Sequence, residues 1–295
     1  DGDKVYLYLG MRRGGRLLYA LDVTDPETPS LLWRRDSTSA GFAELGQTWS
    51  APTVANLPGY MNPVLIMGMG YDAAVEDITP CLITSSDASG VTWTSGGTVT
   101  WLPGTCSVSG GISVTTARTM GRGVMVVDAV TGNLLWQAGA SVSGAGYNLI
   151  VAGMDYSISS DVAVIDMNRD GIKDTGYVGD NGGNVWRLNF QDSDPANWTV
   201  QKIAAVGAHS SAERRKFQYA PDVVFSNDAG GNFNAILIGS GDREHPFDAT
   251  VTNRFYLFKD RGSGTPILDS DPFDATAATG SNSYGYKITM VAGEK

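Results

Sequence analysis

Residues 123–136 read Gly123-Val-Met-Val-Val-Asp-Ala-Val-Thr-Gly-Asn-Leu-Leu-Trp136, two apolar runs on either side of a polar turn that contains a glycine. Such a pair of runs predicts two antiparallel strands joined by a tight turn. Similar apolar runs that end in glycine begin at Val5, Val64, Thr175 and Ala235, and few windows show the spacing of an amphipathic helix. The chain is therefore predicted to be all-β.

Three of these units are preceded by a further short strand. The leading strands are predicted at residues 49–56, 161–166 and 220–226. A four-stranded unit that recurs about every 55–70 residues is typical of a propeller blade, because a single blade cannot bury both of its faces alone. We expect a β-propeller of four-stranded blades with long inserted loops. The run at 284–290 is interpreted as a new strand beyond the last of these units.

The blade pattern is interrupted between about residues 73 and 118, where Ser, Thr and Gly dominate. This insertion contains the only two cysteines, Cys81 and Cys106. We expect a disulfide between them, which would contribute about 3 kcal/mol and would indicate an oxidising compartment. Two free core thiols are the alternative. Residues 1–295 are otherwise expected to form one propeller domain or a large part of one.

The composition is that of a folded chain, with 42% hydrophobic and 18% charged residues. The net charge of −10, without a dense basic cluster, argues against a nucleic-acid partner. No run approaches the roughly 20 apolar residues of a membrane helix. The N-terminal residues lack the features of a signal peptide, so we expect a piece of a longer protein that carries its targeting signal elsewhere.

The strongest candidate for chemistry is the segment from Asp166 to Asp174. Oxygen-bearing side chains stand at its positions 1, 3, 5 and 9 and a glycine at position 6, as in the first part of a calcium-binding loop. Ca²⁺ binds about six to eight oxygens, and a tight loop turns alternate residues towards a common centre. The expected ligands are the side chains of Asp166, Asn168, Asp170 and Asp174 and the carbonyl group of Ile172.

This loop differs from an EF-hand in two ways. Tyr177 stands where an EF-hand has its closing Glu, and apolar strands rather than helices flank the loop. The segment therefore predicts a calcium loop within a β-hairpin. The alternative is a solvated polar turn, which is less favoured because three aspartates within nine residues repel one another without a cation. Magnesium is less favoured because it keeps more of its water.

Other polar segments indicate a function less clearly. Residues 180–184 predict a hairpin turn, and the charged residues 241–246 predict either a salt-bridged structural turn or a binding spot. His209 and His245 are the only histidines, and without a nearby Cys neither is expected to bind a metal or act in a triad. No hydrolase, Walker or dinucleotide-binding motif occurs, so no enzymatic activity is expected.

Several motifs resemble known families. Residues 128–136 look like the blade motif of quinoprotein-type propellers. More specifically, the chain resembles the PilC/PilY proteins of bacterial type IV pili. This resemblance is carried by residues 10–16, 19–25 and 32–33, by 45–50, by the loop 166–174 with 179–188, and by 241–246.

The resemblance implies a C-terminal propeller domain of a large secreted protein at the pilus tip and the outer bacterial surface. It implies roles in pilus assembly, twitching motility, adhesion and virulence, with pilus components as partners and possible contact with host cells. In that family an occupied calcium loop favours the extended pilus, and an empty loop permits retraction. Integrin binding is not implied, because the chain has no Arg-Gly-Asp motif.

Two alternatives come from other classes of protein. A quinone-dependent dehydrogenase would share the blade motif, but such enzymes commonly have a vicinal pair of cysteines, and the two cysteines here are far apart in sequence. A carbohydrate- or protein-binding propeller would use the insertion, with Trp93 and Trp101, as its contact surface.

Overall fold

The computed structural model describes residues 3–76, 90–91, 98–102, 105–109, 116–117, 120–144, 146–207 and 212–290 of the 295-residue chain. Cys81 lies outside the described residues, so its disulfide with Cys106 stays a prediction. The proposed role of the insertion and the single propeller domain over residues 1–295 also stay predictions.

The described residues are almost entirely strands and turns, as the sequence predicts. The first twelve strands are β1 (Tyr6–Gly10), β2 (Leu17–Asp22), β3 (Ser30–Asp36), β4 (Thr53–Ala55), β5 (Val64–Gly68), β6 (Gly90–Val91), β7 (Thr98–Leu102), β8 (Thr105–Ser109), β9 (Thr116–Ala117), β10 (Gly123–Asp128), β11 (Leu134–Gly139) and β12 (Tyr147–Ile150). The remaining strands are β13 (Ala163–Ile165), β14 (Thr175–Gly179), β15 (Asn184–Asn189), β16 (Thr199–Ala205), β17 (Asp222–Asp228), β18 (Gly231–Gly239), β19 (Arg254–Asp260), β20 (Ile267–Leu268), β21 (Phe273–Asp274) and β22 (Gly285–Thr289).

Helical structure in the described residues is limited to one short α-helix, α1 (Ala73–Glu76), and two 3-10 turns at Arg12–Gly14 and Pro195–Asn197. None of these helices has the length and apolar character needed to cross a membrane. The Pro195–Asn197 turn begins with Asp194, whose side chain accepts the backbone N–H of Ala196.

The strands form four larger sheets and two ribbons of two strands each. The larger sheets have the orders β1-β2-β3, β12-β11-β10-β5-β4, β13-β14-β15-β16-β20 and β17-β18-β19-β22-β21. The ribbons are β6-β9 and β7-β8. These sheets confirm the all-β class and the predicted repeated units.

The second and third sheets contain the four strands that the sequence predicts, and the fourth contains three predicted strands and β22. Each of these sheets also has one short parallel strand at its edge. The extra strands are β12 on β11, β20 on β16 and β21 on β22. Residues 284–290 are interpreted from the sequence as a strand beyond the last repeated strand unit. This interpretation is wrong, because β22 pairs antiparallel with β19 and completes the fourth sheet. Strand pairing over this distance depends on the connection, which the local pattern does not specify.

Strands β5 and β10 form the centre of the second sheet and are buried on both faces. Val64, Ile66, Val124 and Val126 pack in one apolar cluster with Trp186. The alternate residues of the same strands pack in a second cluster, whose members include Leu65, Met67, Met125, Val127, Leu18, Ala20 and Trp33. Successive side chains of a strand point to opposite faces, so each apolar run supplies two cores at once. This is the face-to-face burial that a blade requires.

The turn in residues 128–136 is held by Asp128. Its Oδ1 accepts the backbone N–H groups of Val130 at 2.9 Å and Thr131 at 2.7 Å. Gly132 has φ +69°, and a Cβ there would lie 2.6 Å from the Trp33 ring. Because both the conformation and the contact exclude a side chain, the glycine of the blade motif is required by packing as well as by the turn.

Internal contacts divide the chain into two compact units. The first consists of Asp1–Tyr71, Met120–Val178 and Trp186–Gln201. The second consists of Asp72–Thr119, Gly179–Val185 and Lys202–Lys295. The first two sheets and both apolar clusters lie in the first unit, and the fourth sheet lies in the second.

Candidate functional site

The predicted calcium loop, Asp166–Asp174, connects β13 to β14 in the first unit. The hairpin predicted from the flanking apolar runs is confirmed by the antiparallel pairing of these two strands. The loop is anchored at its end, where Lys173 donates its N–H to the carbonyl of Asn56 at 3.0 Å and Asp174 donates to that of Ile165 at 3.1 Å. The segment is therefore a tight turn on fixed strands.

Asp166 organises the first half of the loop by accepting backbone hydrogens. Its Oδ1 accepts from Arg169 at 2.5 Å and from Asp170 at 3.2 Å, and its Oδ2 accepts from Gly171 at 2.8 Å. Gly171 has φ +90° and Arg169 has φ +64°. These two left-handed residues produce the sharp bend that the glycine at position 6 predicts.

Asn168 and Asp170 face each other across the exposed side of the loop. The Asn168 amide nitrogen donates to Asp170 Oδ2 at 2.9 Å, and Asp170 donates its N–H to Asn168 Oδ1 at 3.0 Å. Asp170 Oδ1 also accepts from the backbone of Ile172 at 2.8 Å. Among the described residues, no group donates to the carbonyl oxygen of Ile172.

Asp174 is the last residue of the loop, and it is only 2% exposed. Both of its carboxylate oxygens accept the N–H of Met167, each at 3.2 Å, and Oδ1 also accepts from Thr175 Oγ1 at 2.8 Å. The second and ninth positions of the loop are thus brought together. A buried carboxylate needs such donors, because its negative charge is costly away from water.

The loop contains three carboxylates and two cationic side chains, Arg169 and Lys173. In the part of the chain that the structure describes, Asp166, Asp170 and Asp174 form no ion pair with Lys, Arg or His. The donor set consists wholly of oxygens, which suits a hard cation such as Ca²⁺. Within that same part, no three His, Cys, Asp or Glu side chains are grouped as a metal site. Binding would thus require the side chains to turn inward from their present hydrogen bonds.

A separate ion network in the second unit involves the charged segment 241–246. Lys216 Nζ lies 3.0 Å from Glu76 Oε2 and 2.9 Å from Asp242 Oδ2, and His245 Nδ1 lies 3.0 Å from the same Asp242 oxygen. Burial alone would lower the pKa of Lys216, but the carboxylates of Glu76 and Asp242 raise it above its usual value. This arrangement supports the interpretation of 241–246 as a salt-bridged turn.

The turn 180–184 is a hairpin turn, as predicted, and Asp180 holds it. Its Oδ1 accepts from the backbone of Gly182 at 2.8 Å and of Asn184 at 3.0 Å, and its own N–H donates to the Asn184 carbonyl at 3.0 Å. Gly183 has φ +75°. The polar residues of the segment are therefore explained by their role in holding the backbone of the turn.

The sequence does not predict the partners of Lys216. Glu76 ends the short helix α1, 140 residues before it. Lys216 also belongs to the basic run Arg214–Lys216, whose local pattern gives no sign that its members are buried. The sequence indicates this charge network only in the segment 241–246, where acidic and basic residues cluster around a predicted turn.

No protein-family model matches the chain. Three curated relatives do match it, two of them over most of its length. The type IV pilus biogenesis factor PilY1 of Pseudomonas aeruginosa is 27% identical over 213 residues, which cover 70% of this chain and 14% of that protein. A PilY1 homologue of Xylella fastidiosa is 25% identical over 195 residues, which cover 65% of this chain and 10% of that protein. The chain thus matches only a small part of each relative.

A solved structure supports the fold. The crystal structure of the Pseudomonas aeruginosa PilY1 C-terminal domain superposes with a TM-score of 0.61 at 17% identity, covering 99% of this chain and 63% of that one. The predicted propeller-type fold is confirmed. With the two curated relatives, this likeness also confirms the resemblance to the PilC/PilY family that the motifs predict.

Proposed function

We propose that this chain is a calcium-binding propeller domain of a type IV pilus-associated surface protein, without catalytic activity. In this proposal the domain regulates pilus extension and retraction, and so twitching motility, and supports adhesion. The names of the two curated relatives support the association with pili, since both are called type IV pilus biogenesis factors or homologues. The proposed location is the outer bacterial surface or pilus tip, reached through the periplasm, with pilus components as partners.

One observation carries the calcium proposal. Three carboxylates, an amide and a carbonyl oxygen are held in nine residues, and no cationic side chain of the described part of the chain pairs with the carboxylates. Like charges at such spacing repel, and a divalent cation would relieve the repulsion. The residues that would hold it are Asp166, Asn168, Asp170, Ile172 and Asp174.

Calcium binding to the loop would act on the two strands that the loop joins, β13 and β14. Bound Ca²⁺ would supply positive charge at the loop oxygens. The residues that contact the loop would transmit its ordering to the neighbouring strands. The Asp174 side chain already closes the loop by accepting the N–H of Met167, and the Asp174 carbonyl accepts the N–H of Phe190 at 2.7 Å next to β15. Asn56 connects the loop to the end of β4. Ordering the loop would therefore stiffen β13, β14 and their neighbours.

Calorimetric calcium titration tests the site with two loop variants. Asp170→Ala removes an exposed ligand, and Asp174→Ala removes the buried one. Asp25→Ala is the matched control, because Asp25 also holds an exposed turn, accepting from Glu27 at 3.0 Å. We expect saturable binding by the parent and the control in excess magnesium, and loss or severe weakening in both loop variants. Loop variants that bind calcium as tightly as the parent would remove the site assignment.

The affinity then distinguishes a switch from a permanent structural ion. Micromolar binding fits a site that empties and refills with external calcium, whereas an ion that leaves only on unfolding fits a structural one. The absence of enzymatic activity is tested separately, by adding a quinone and calcium to the purified chain and following alcohol oxidation. Turnover would favour the dehydrogenase alternative.

A further inference from the structure

Asp269, between β20 and β21 in the second unit, lies at the centre of a cluster of basic side chains. Arg254 Nη1 contacts its Oδ2, Arg215 Nη1 lies 3.5 Å from its Oδ1, and Lys287 Nζ lies 3.8 Å from its Oδ2. Tyr256 donates its hydroxyl to Oδ1 at 2.7 Å. We call Arg215, Arg254, Lys287, Tyr256 and Asp269 the Asp269 cluster.

The fold brings the cluster together from four separate segments. Tyr256 on β19 is the direct partner of Lys287 on β22, and Arg254 lies two residues from Tyr256, so all three point to one face of the sheet. Arg215 reaches the same place from the connection that precedes β17. It is fixed by donating Nε to the Thr252 carbonyl at 2.9 Å and Nη1 to the Val206 carbonyl at 2.7 Å.

The charges in the cluster do not balance. Three cations share one carboxylate, in a chain whose net charge is −10. A further acid, Asp274, is exposed, and its side chain accepts from the backbone of Thr276 at 3.0 Å. The charges of Lys287 and Arg254 reach Asp274 and help to lower its pKa, after the larger effect of its hydrogen bonds to Thr276. Positive charge is therefore in excess.

Two guanidinium nitrogens in the cluster also find no hydrogen-bond partner among the described residues. They are Arg215 Nη2 and Arg254 Nε, both of them buried. The Arg215 side chain is only 1% exposed. A buried donor without an acceptor is unfavourable, and more so when it is charged, so a missing acceptor is the simplest explanation. The geminal nitrogen Nη1 faces Asp269, which places Nη2 at the edge of the same cluster.

We propose that the Asp269 cluster binds an oxyanion, a carboxylate, phosphate or sulfate group, at Arg215, Arg254 and Lys287. Asp269 supplies part of the anionic charge when the site is unliganded. Arginine forks match such groups, and the unpartnered nitrogens are the donors that they would use. Asp269 and Arg254 are 24% and 17% exposed, so one side of the cluster reaches solvent.

Phosphate binding to the whole 295-residue chain tests the site, measured by calorimetry and by Tm with ionic strength held constant by sodium chloride. Lys287→Gln removes one cation of the cluster, and Asp269→Asn removes the resident carboxylate. Lys259→Gln is the matched control, because Lys259 lies on the same sheet and pairs with Asp228 at 2.9 Å. We expect binding to weaken about tenfold in Lys287→Gln, strengthen about tenfold in Asp269→Asn and stay unchanged in the control.

A parallel series with glutarate distinguishes a carboxylate-bearing ligand, such as an acidic peptide, from a phosphate or sulfate ester. Saturation by either anion supports the site. A general salting-out effect would raise Tm without saturation and equally in all four proteins, and that result would overturn the proposal. So would equal affinity of the parent and Lys287→Gln. Should Asp269→Asn not unfold cooperatively, the comparison of Lys287→Gln with Lys259→Gln decides alone.

Discussion

The buried carboxylate of Asp174 accepts the backbone N–H of Met167 with both of its oxygens, each at 3.2 Å. This contact spans the loop from its second residue to its ninth, so the side chain serves the fold before any ion is considered. A residue proposed as a ligand is thus also the closing contact of its own loop. Structural and ligand roles of Asp174 must be separated by experiment.

Asp174→Ala should destabilise the chain even in calcium-free buffer. The substitution removes the acceptor of Met167 and of Thr175 Oγ1, and the cost of losing such an acceptor is about 1–3 kcal/mol. Asp174→Asn keeps one oxygen and should lose less. Urea unfolding with a chelator present measures both. Equal stability of parent and Asp174→Ala would show that the loop does not depend on this contact.

The Lys216 network should make stability depend on pH at both extremes. Burial alone would raise the pKa of Asp242, but Lys216, and then His245, lower it below its usual value. Its stabilisation is therefore present above the unfolded carboxyl pKa of about 4 and is lost as pH falls through the folded value. For Lys216, whose pKa is raised, stabilisation is present below the unfolded pKa of about 10.4 and is lost as pH rises through the folded value.

Asp242→Asn tests this dependence by urea unfolding from about pH 7 to about pH 3. The parent should lose stability towards acid more steeply than the variant, because the variant no longer has the carboxylate that titrates. Glu76 and His245 remain in both proteins. Asp222→Asn, an exposed change on β17, is the control and should follow the parent. A parallel pH profile for parent and Asp242→Asn would contradict the assignment.

Trp198 should be among the most sensitive core positions of the first unit. Its ring lies 4.9 Å from that of Phe190 and 5.5 Å from that of Trp136, and its Nε1 donates to the Asp192 carbonyl at 2.6 Å. Trp198→Ala should cost about 3–5 kcal/mol, because it leaves a cavity that rigid rings cannot fill. Trp198→Phe should cost less.

Chemical denaturation measures the loss at Trp198, with Phe247→Ala as the control. Phe247 is 97% exposed, so its removal should change stability by less than about 0.5 kcal/mol. Similar stabilities of Trp198→Ala and Phe247→Ala would mean that the aromatic cluster does not hold the sheets together.

Much of the local structure could be predicted from the sequence. The paired runs around residues 123–136, the hairpin turn at 180–184 and the bend at Gly171 follow from residue type and spacing. These features depend on interactions within a few residues, where strand propensity and backbone freedom are sufficient. The positions of the oxygen-bearing residues in the loop are of the same kind, whereas the orientation of their side chains depends on hydrogen bonds that spacing does not specify.

The sequence by itself determined which segments become strands, where the glycine turns lie and which oxygens share one loop. The tertiary structure alone decided that β22 completes the fourth sheet, that Lys216 meets Glu76, and that three cations surround Asp269. The physical reason is distance along the chain. Turns are fixed by neighbouring residues, but the partners of a buried charge are fixed by how distant strands and connections converge, and Glu76 lies 140 residues before Lys216.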